Sequence, residues 1–131
     1  MQLTKAEEQI MQILWTINEG SVQDILKRFE GENKPARTTV ATILSILENK
    51  KFVEHRSEGR TNIYKPVILK EDYSKRQLFG MVKDYFNGSF SSMFSFFAKE
   101  TNLSIEDLDK MLEETRKALA QEEEDSNKIK N

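Results

Sequence analysis

Thr38, Ala41, Thr42 and Ser45 recur at the spacing of a single helix face, and none of them is long or charged. A helix that merely meets water usually carries Glu and Lys there. Small hydroxyl side chains can hydrogen-bond base edges, and Ala and Thr methyl groups can pack on thymine methyls. A major groove about 12 Å wide admits a helix only where the approaching face is trimmed in this way. Lys34 and Arg37 stand at the entrance of this helix, placed for phosphate or guanine. Lys50, Lys51, Arg56, Arg60 and Lys65 follow it as candidate phosphate contacts. Phosphate contacts would fix register, and base contacts would specify sequence.

Other chemistry is poorly provided for. The chain has one histidine, His55, and no cysteine, which makes neither a nucleophilic triad nor a usual zinc site. There is no glycine-rich phosphate loop. The sequence therefore implies no enzyme, no catalytic residue, no bound metal and no cofactor. The absence of cysteine excludes disulfides and fits a cytoplasmic chain. No apolar run approaches the ~18 residues that span a bilayer. The opening MQLTKAEEQ lacks the basic and apolar regions of a secretion signal, so membrane insertion is not expected.

The elements that must position these residues follow from the apolar spacing. Thr4 and Glu7 form a T-x-x-E capping box, and Ile10, Ile13, Leu14 and Ile17 mark one helix face. Gly20 is expected to end that helix. Ser21 is expected to cap a second over VQDILKRF, with Val22, Ile25, Leu26 and Phe29 inward. After the polar EGENKPA loop, a third runs from about Thr38 to Lys50, with Val40, Ile43, Leu44 and Leu47 inward. KFVEHR and TNIYKPV then read as two strands of a hairpin turning at Gly59. Three helices and a hairpin in this order predict a winged helix-turn-helix domain over residues 1–70. The fold class is mainly α with a small β-hairpin.

Residues 71–121 predict a helical dimerisation region, and 122–131 an acidic, polar, disordered tail. The net charge of −2 averages two unlike parts: residues 1–70 carry eleven basic and nine acidic side chains, the rest nine and thirteen. The basic excess gathers within 34–65, where a polyanion would dock. Six of the eight phenylalanines fall between Phe79 and Phe97, too many for a few thin helices to bury alone. Phe79, Val82, Phe86, Phe90, Met93, Phe94 and Phe97 are the candidate homodimer contacts, with Leu108 and Leu112 on a coiled-coil-like seam. A two-fold dimer would present two reading helices to a two-fold DNA operator. A second reading stays open, in which the basic face docks an acidic protein partner.

The segments LTKAEEQIMQILW, TTVATILSILENKKFV, HRSEGRTNIYKP, GSFSSMFSFFAKE and LSIEDLDKML, in this order, resemble the penicillinase-repressor family (BlaI/MecI, with the copper repressor CopY as a relative). The likeness spans about residues 3 to 120. It implies a dimeric bacterial transcriptional repressor that binds an inverted-repeat double-stranded DNA operator and controls resistance genes. It also implies relief by proteolysis, triggered through a membrane sensor-protease. The best-known members are cut at an Asn-Phe bond. Phe96 and Phe97 occupy the matching pair and are the candidate cleavage position. Copper-sensing relatives carry C-terminal cysteines, which this chain lacks. Relatives often carry Arg where Ile46 stands and Gly where Lys51 stands. A left-handed backbone at Lys51 would cost about 1 kcal/mol.

Overall fold

The structure, a computed structural model, describes residues 2–130. Thr4 caps α1 (Lys5–Ile17) by accepting the Glu7 N–H at 3.2 Å. Ile10, Met11 and Leu14 are buried along it. The helix ends differently from the expectation. Asn18, not Gly20, takes positive φ (74°), and its N–H reaches the Leu14 carbonyl. Asn tolerates the left-handed region well enough to end a helix. Gly20 instead forms a two-way backbone bridge with Tyr64, both N···O distances being 2.9 Å. A Cβ on Gly20 would lie 2.7 Å from the tip of the Ile17 side chain and 3.0 Å from Asp24 Cβ, so a larger residue there would have to push Ile17 aside.

Ser21 and Asp24 form a reciprocal capping box on α2 (Val22–Leu26). This helix is shorter than the expected 22–29 stretch. Beyond Leu26 the chain tightens into three-residue turns, Arg28 N–H to Ile25 and Phe29 N–H to Leu26. Phe29 still packs on the core, so the inward pattern was right although the helix stops early.

α3 (Arg37–Asn49) buries Val40, Leu44 and Leu47. It closes in a Schellman motif, with Phe52 N–H on Leu47 O and Lys51 N–H on Glu48 O. Lys51 has φ of 65°, so a lysine occupies the left-handed position that favours glycine. β1 (Val53–Glu58) and β2 (Thr61–Pro66) pair antiparallel, Val53 opposite Pro66 and Glu58 opposite Thr61, around Gly59 at φ 63°. Val53 and Tyr64 face the core. The three helices and this hairpin make a winged helix-turn-helix.

The first compact unit runs to Leu78, beyond the expected boundary at 70. Its extension has a clear cause. Tyr73, on α4 (Lys70–Tyr85), belongs to the core beside Trp15 and Phe52, with ring centroids 5.6 and 6.0 Å away. Trp15 Nε1 also donates to the Ile68 carbonyl at 2.9 Å.

The second unit begins at Phe79. It contains the end of α4, α5 (Phe90–Glu100) and α6 (Ile105–Lys130). Ser89 and Ser104 cap α5 and α6. α6 runs through the segment expected to be disordered from 122 onward. Residues 118–124, ALAQEEE, are all strong helix formers, and Gln121 donates to Asp125 one turn on at 3.1 Å.

Candidate nucleic-acid interface

α3 turns two faces in opposite directions. Val40, Leu44 and Leu47 fix it to the core, which leaves Thr38, Thr42 and Ser45 exposed and Ala41 half-buried on the outer side. The Thr42 hydroxyl donates to the Thr38 carbonyl at 2.9 Å. This bond occupies its proton and leaves its oxygen lone pairs free to accept from a base amino group.

The start of α3 shares a cleft of about 300 Å³ with two other elements. Gln23 reaches it from the first turn of α2, Arg37 and Ala41 from α3, and Arg60 and Asn62 from the wing. Sequence reasoning had singled out Arg37, Ala41 and Arg60, and the fold brings all three together. Gln23 and Asn62 were missed. Their only sequence signals were a place just after the Ser21 cap and a place beside the wing turn. Arg37, Arg60 and Lys34 are exposed, and none has an ion-pair partner among the described residues. Lys51, also expected to meet phosphate, is likewise exposed and has no ion-pair partner among the described residues.

Three other expected phosphate contacts have intramolecular partners. Lys50 binds both carboxylate oxygens of the buried Glu7, at 2.8 and 2.7 Å. Arg56 is held by Glu19 and Glu58, which raises its already high pKa. Lys65 lies 3.6 Å from Glu54, its partner across the hairpin. Strand alternation explains the last two, because Arg56 and Lys65 lie on the wing face opposite Tyr64 and Asn62. Charge counting along the sequence could not see that pairing. His55 lies on β1, 2.5 Å from Glu48 through Nδ1, with its ring 5.4 Å from Tyr64. No cluster of potential metal ligands occurs among the described residues, and no described helix is long and apolar enough to cross a membrane.

In the second unit, α5 buries no residue. Phe79, Phe90, Phe94, Phe97 and Leu112 are exposed, and Phe86, Met93 and Leu108 are half-buried. Val82 differs: it is 2% exposed within the single chain and so belongs to the interior, not to an uncovered face. Edge-to-face and tilted pairs join Phe79 to Phe90 and Phe86 to Phe96, with centroids 5.5 and 5.7 Å apart. Phe96 and Phe97 both lie on α5 and are exposed.

The family model described as penicillinase repressor matches residues 3–117. The penicillinase repressor of Bacillus licheniformis is 26% identical over 110 residues, covering 84% of this chain and 86% of that protein. The methicillin resistance regulatory protein MecI of Staphylococcus aureus (strain N315) is 18% identical over 110 residues, covering 84% and 89%. Among solved structures, the DNA-binding domain of the repressor BlaI is 28% identical with a TM-score of 0.49, covering 55% of this chain and 88% of that one. The Bacillus licheniformis BlaI monomeric form in complex with the blaP half-operator is 27% identical with a TM-score of 0.47, covering 56% and 89%. Through a match that takes in the helices, the wing and most of the C-terminal region, the chain belongs to the penicillinase repressor family and is a DNA-binding repressor, not an enzyme.

Proposed function

We propose that this repressor acts in the cytoplasm as a homodimer on an inverted-repeat operator, with α3 in the major groove of each half-site. The observation that carries the reading is the shared cleft. It brings Ala41, one member of the small face of α3, together with Arg37 and the wing-tip Arg60. Thr38, Ala41, Thr42 and Ser45 meet base edges. Lys34, Arg37 and Arg60 neutralise phosphates. Lys50, Arg56 and Lys65 are not direct contacts in this reading, because each already serves a carboxylate.

The uncovered phenylalanines of α5 supply the dimer contact. Burying apolar surface is worth about 25 cal/mol per Å², so several half-exposed phenyl rings offer a large gain to a second copy of the same face. Release follows from cutting α5 at Phe96–Phe97, triggered through a membrane sensor-protease, which breaks the helix that carries those rings and separates Phe97 and α6 from Phe90, Phe94 and Phe96. The controlled genes are resistance genes. Titration of the DNA upstream of the chain's own gene tests the reading. Sequence-selective, salt-sensitive retardation by a dimer supports it. Equal affinity for unrelated DNA would refute it, and binding only to an acidic protein would favour a protein-docking module instead.

A further inference from the structure

The wing is tied to the body of the first unit by a chain of contacts that ends at its tip. Gly20 bridges Tyr64 through two backbone hydrogen bonds. Next to Gly20, Glu19 accepts a hydrogen bond from the Arg56 guanidinium. The same guanidinium donates through Nε and Nη2 to Glu58, at 3.2 and 3.0 Å. Glu58 is the last residue of β1, directly before Gly59 and Arg60. We propose that Glu19 is a positioning residue for DNA binding: through Arg56 and Glu58 it sets the reach of Arg60 toward phosphate.

The physical case rests on geometry and charge. A two-stranded hairpin is marginally stable by itself, so its orientation depends on what anchors it. The Gly20 bridge, the buried Val53 and Tyr64 and the pairing of His55 with Glu48 hold the base of the hairpin, whereas residues 56–62 toward its tip are all exposed. Arg56 supplies an attachment nearer the tip, with a planar fork suited to two carboxylates. Two carboxylates around one guanidinium also leave the triad formally anionic. A DNA phosphate therefore has no reason to displace either partner, and the strut persists in the complex. Arg60, exposed and with no ion-pair partner among the described residues, remains the cation at the tip.

The inference rests on the DNA-binding reading, and the test separates the two. The full chain is titrated with a mixed-sequence duplex over a range of salt, measuring the slope of log affinity against log salt. If wild type shows no salt-dependent binding, the DNA reading itself fails and the inference with it. Given wild-type binding, Arg60→Gln should flatten the slope by about 0.9, the counterion release of one phosphate, and weaken binding about fivefold at physiological salt. Glu19→Gln and Arg56→Gln should each reproduce much of that change, Arg56→Lys should retain more of the wild-type slope than Arg56→Gln, and Glu19→Gln should add nothing in the Arg60→Gln background. Circular dichroism confirms that each variant is folded. An unchanged slope in folded Glu19→Gln, or effects of Glu19→Gln and Arg60→Gln that add, would overturn the inference while leaving DNA binding intact.

Discussion

The ammonium of Lys50 lies 2.8 and 2.7 Å from the two carboxylate oxygens of Glu7, a residue 43 positions away in sequence and only 5% exposed. The pair joins the first turn of α1 to the C-cap of α3 and so ties the two helices together. A cation at a helix C-terminus is also favoured by the helix dipole.

Lys50→Met should lower stability by about 2 kcal/mol, because it leaves a buried carboxylate unpaired. The cost stays below the ~3–5 kcal/mol of fully buried pairs, since the Lys50 side chain is a quarter exposed. Urea denaturation measures it. Adding Glu7→Leu should recover most of the loss. The salt slope of DNA binding should not change in Lys50→Met, which separates this role from phosphate contact.

Lys51→Gly should stabilise the chain by about 1 kcal/mol, because φ at Lys51 is 65°. The urea midpoint should rise with an unchanged m-value. A decrease would show that the Lys51 side chain contributes more than the backbone strain costs.

Ser21→Ala should cost about 1 kcal/mol by removing the cap of α2. The acid limb of the stability curve tests the same box. The Ser21 backbone N–H, and then its side chain, hold the Asp24 carboxyl below the ordinary carboxylate range. A depressed folded pKa means the contribution is complete at neutral pH. It is lost as pH falls through the unfolded value and on through the folded one. Asp24→Asn should therefore be less stable at neutral pH and show a shallower acid limb.

Phe94→Asp should abolish dimerisation, read by sedimentation. Phe94 and Phe97 sit 6.3 Å apart on α5, a helix with no buried residue in the single chain. Operator affinity should fall with the loss of the second reading head. A Phe94→Asp protein that still sediments as a dimer would place the interface elsewhere.

Local patterns made much of the fold legible. Apolar spacing located α1 and α3, and the capping residues Thr4 and Ser21 located two helix starts. The change from period 3.6 to period 2 located the hairpin. What escaped was set by distant partners. Gly20 looked like a helix stop, but its constraint comes from Tyr64 on the wing. Lys50 and Arg56 looked like free cations until the fold supplied Glu7 and Glu19. Tyr73 was grouped with the dimerisation region, because nothing near it in sequence shows that its burial depends on Trp15 and Phe52. The small outer face of α3 was legible as a pattern, because the apolar spacing that turns Val40, Leu44 and Leu47 inward leaves Thr38, Thr42 and Ser45 outside.

The most direct test of the central claim is retardation of the DNA upstream of the chain's own gene by wild type and by Thr42→Glu. Thr42 is exposed on α3 and touches only the Thr38 carbonyl through its hydroxyl, so a glutamate there should fold and dimerise normally. It should lose at least about a hundredfold in affinity, from unmatched charge set against base edges and phosphates. A folded, dimeric Thr42→Glu protein that binds this DNA as tightly as wild type would contradict the assignment of α3 as the reading helix.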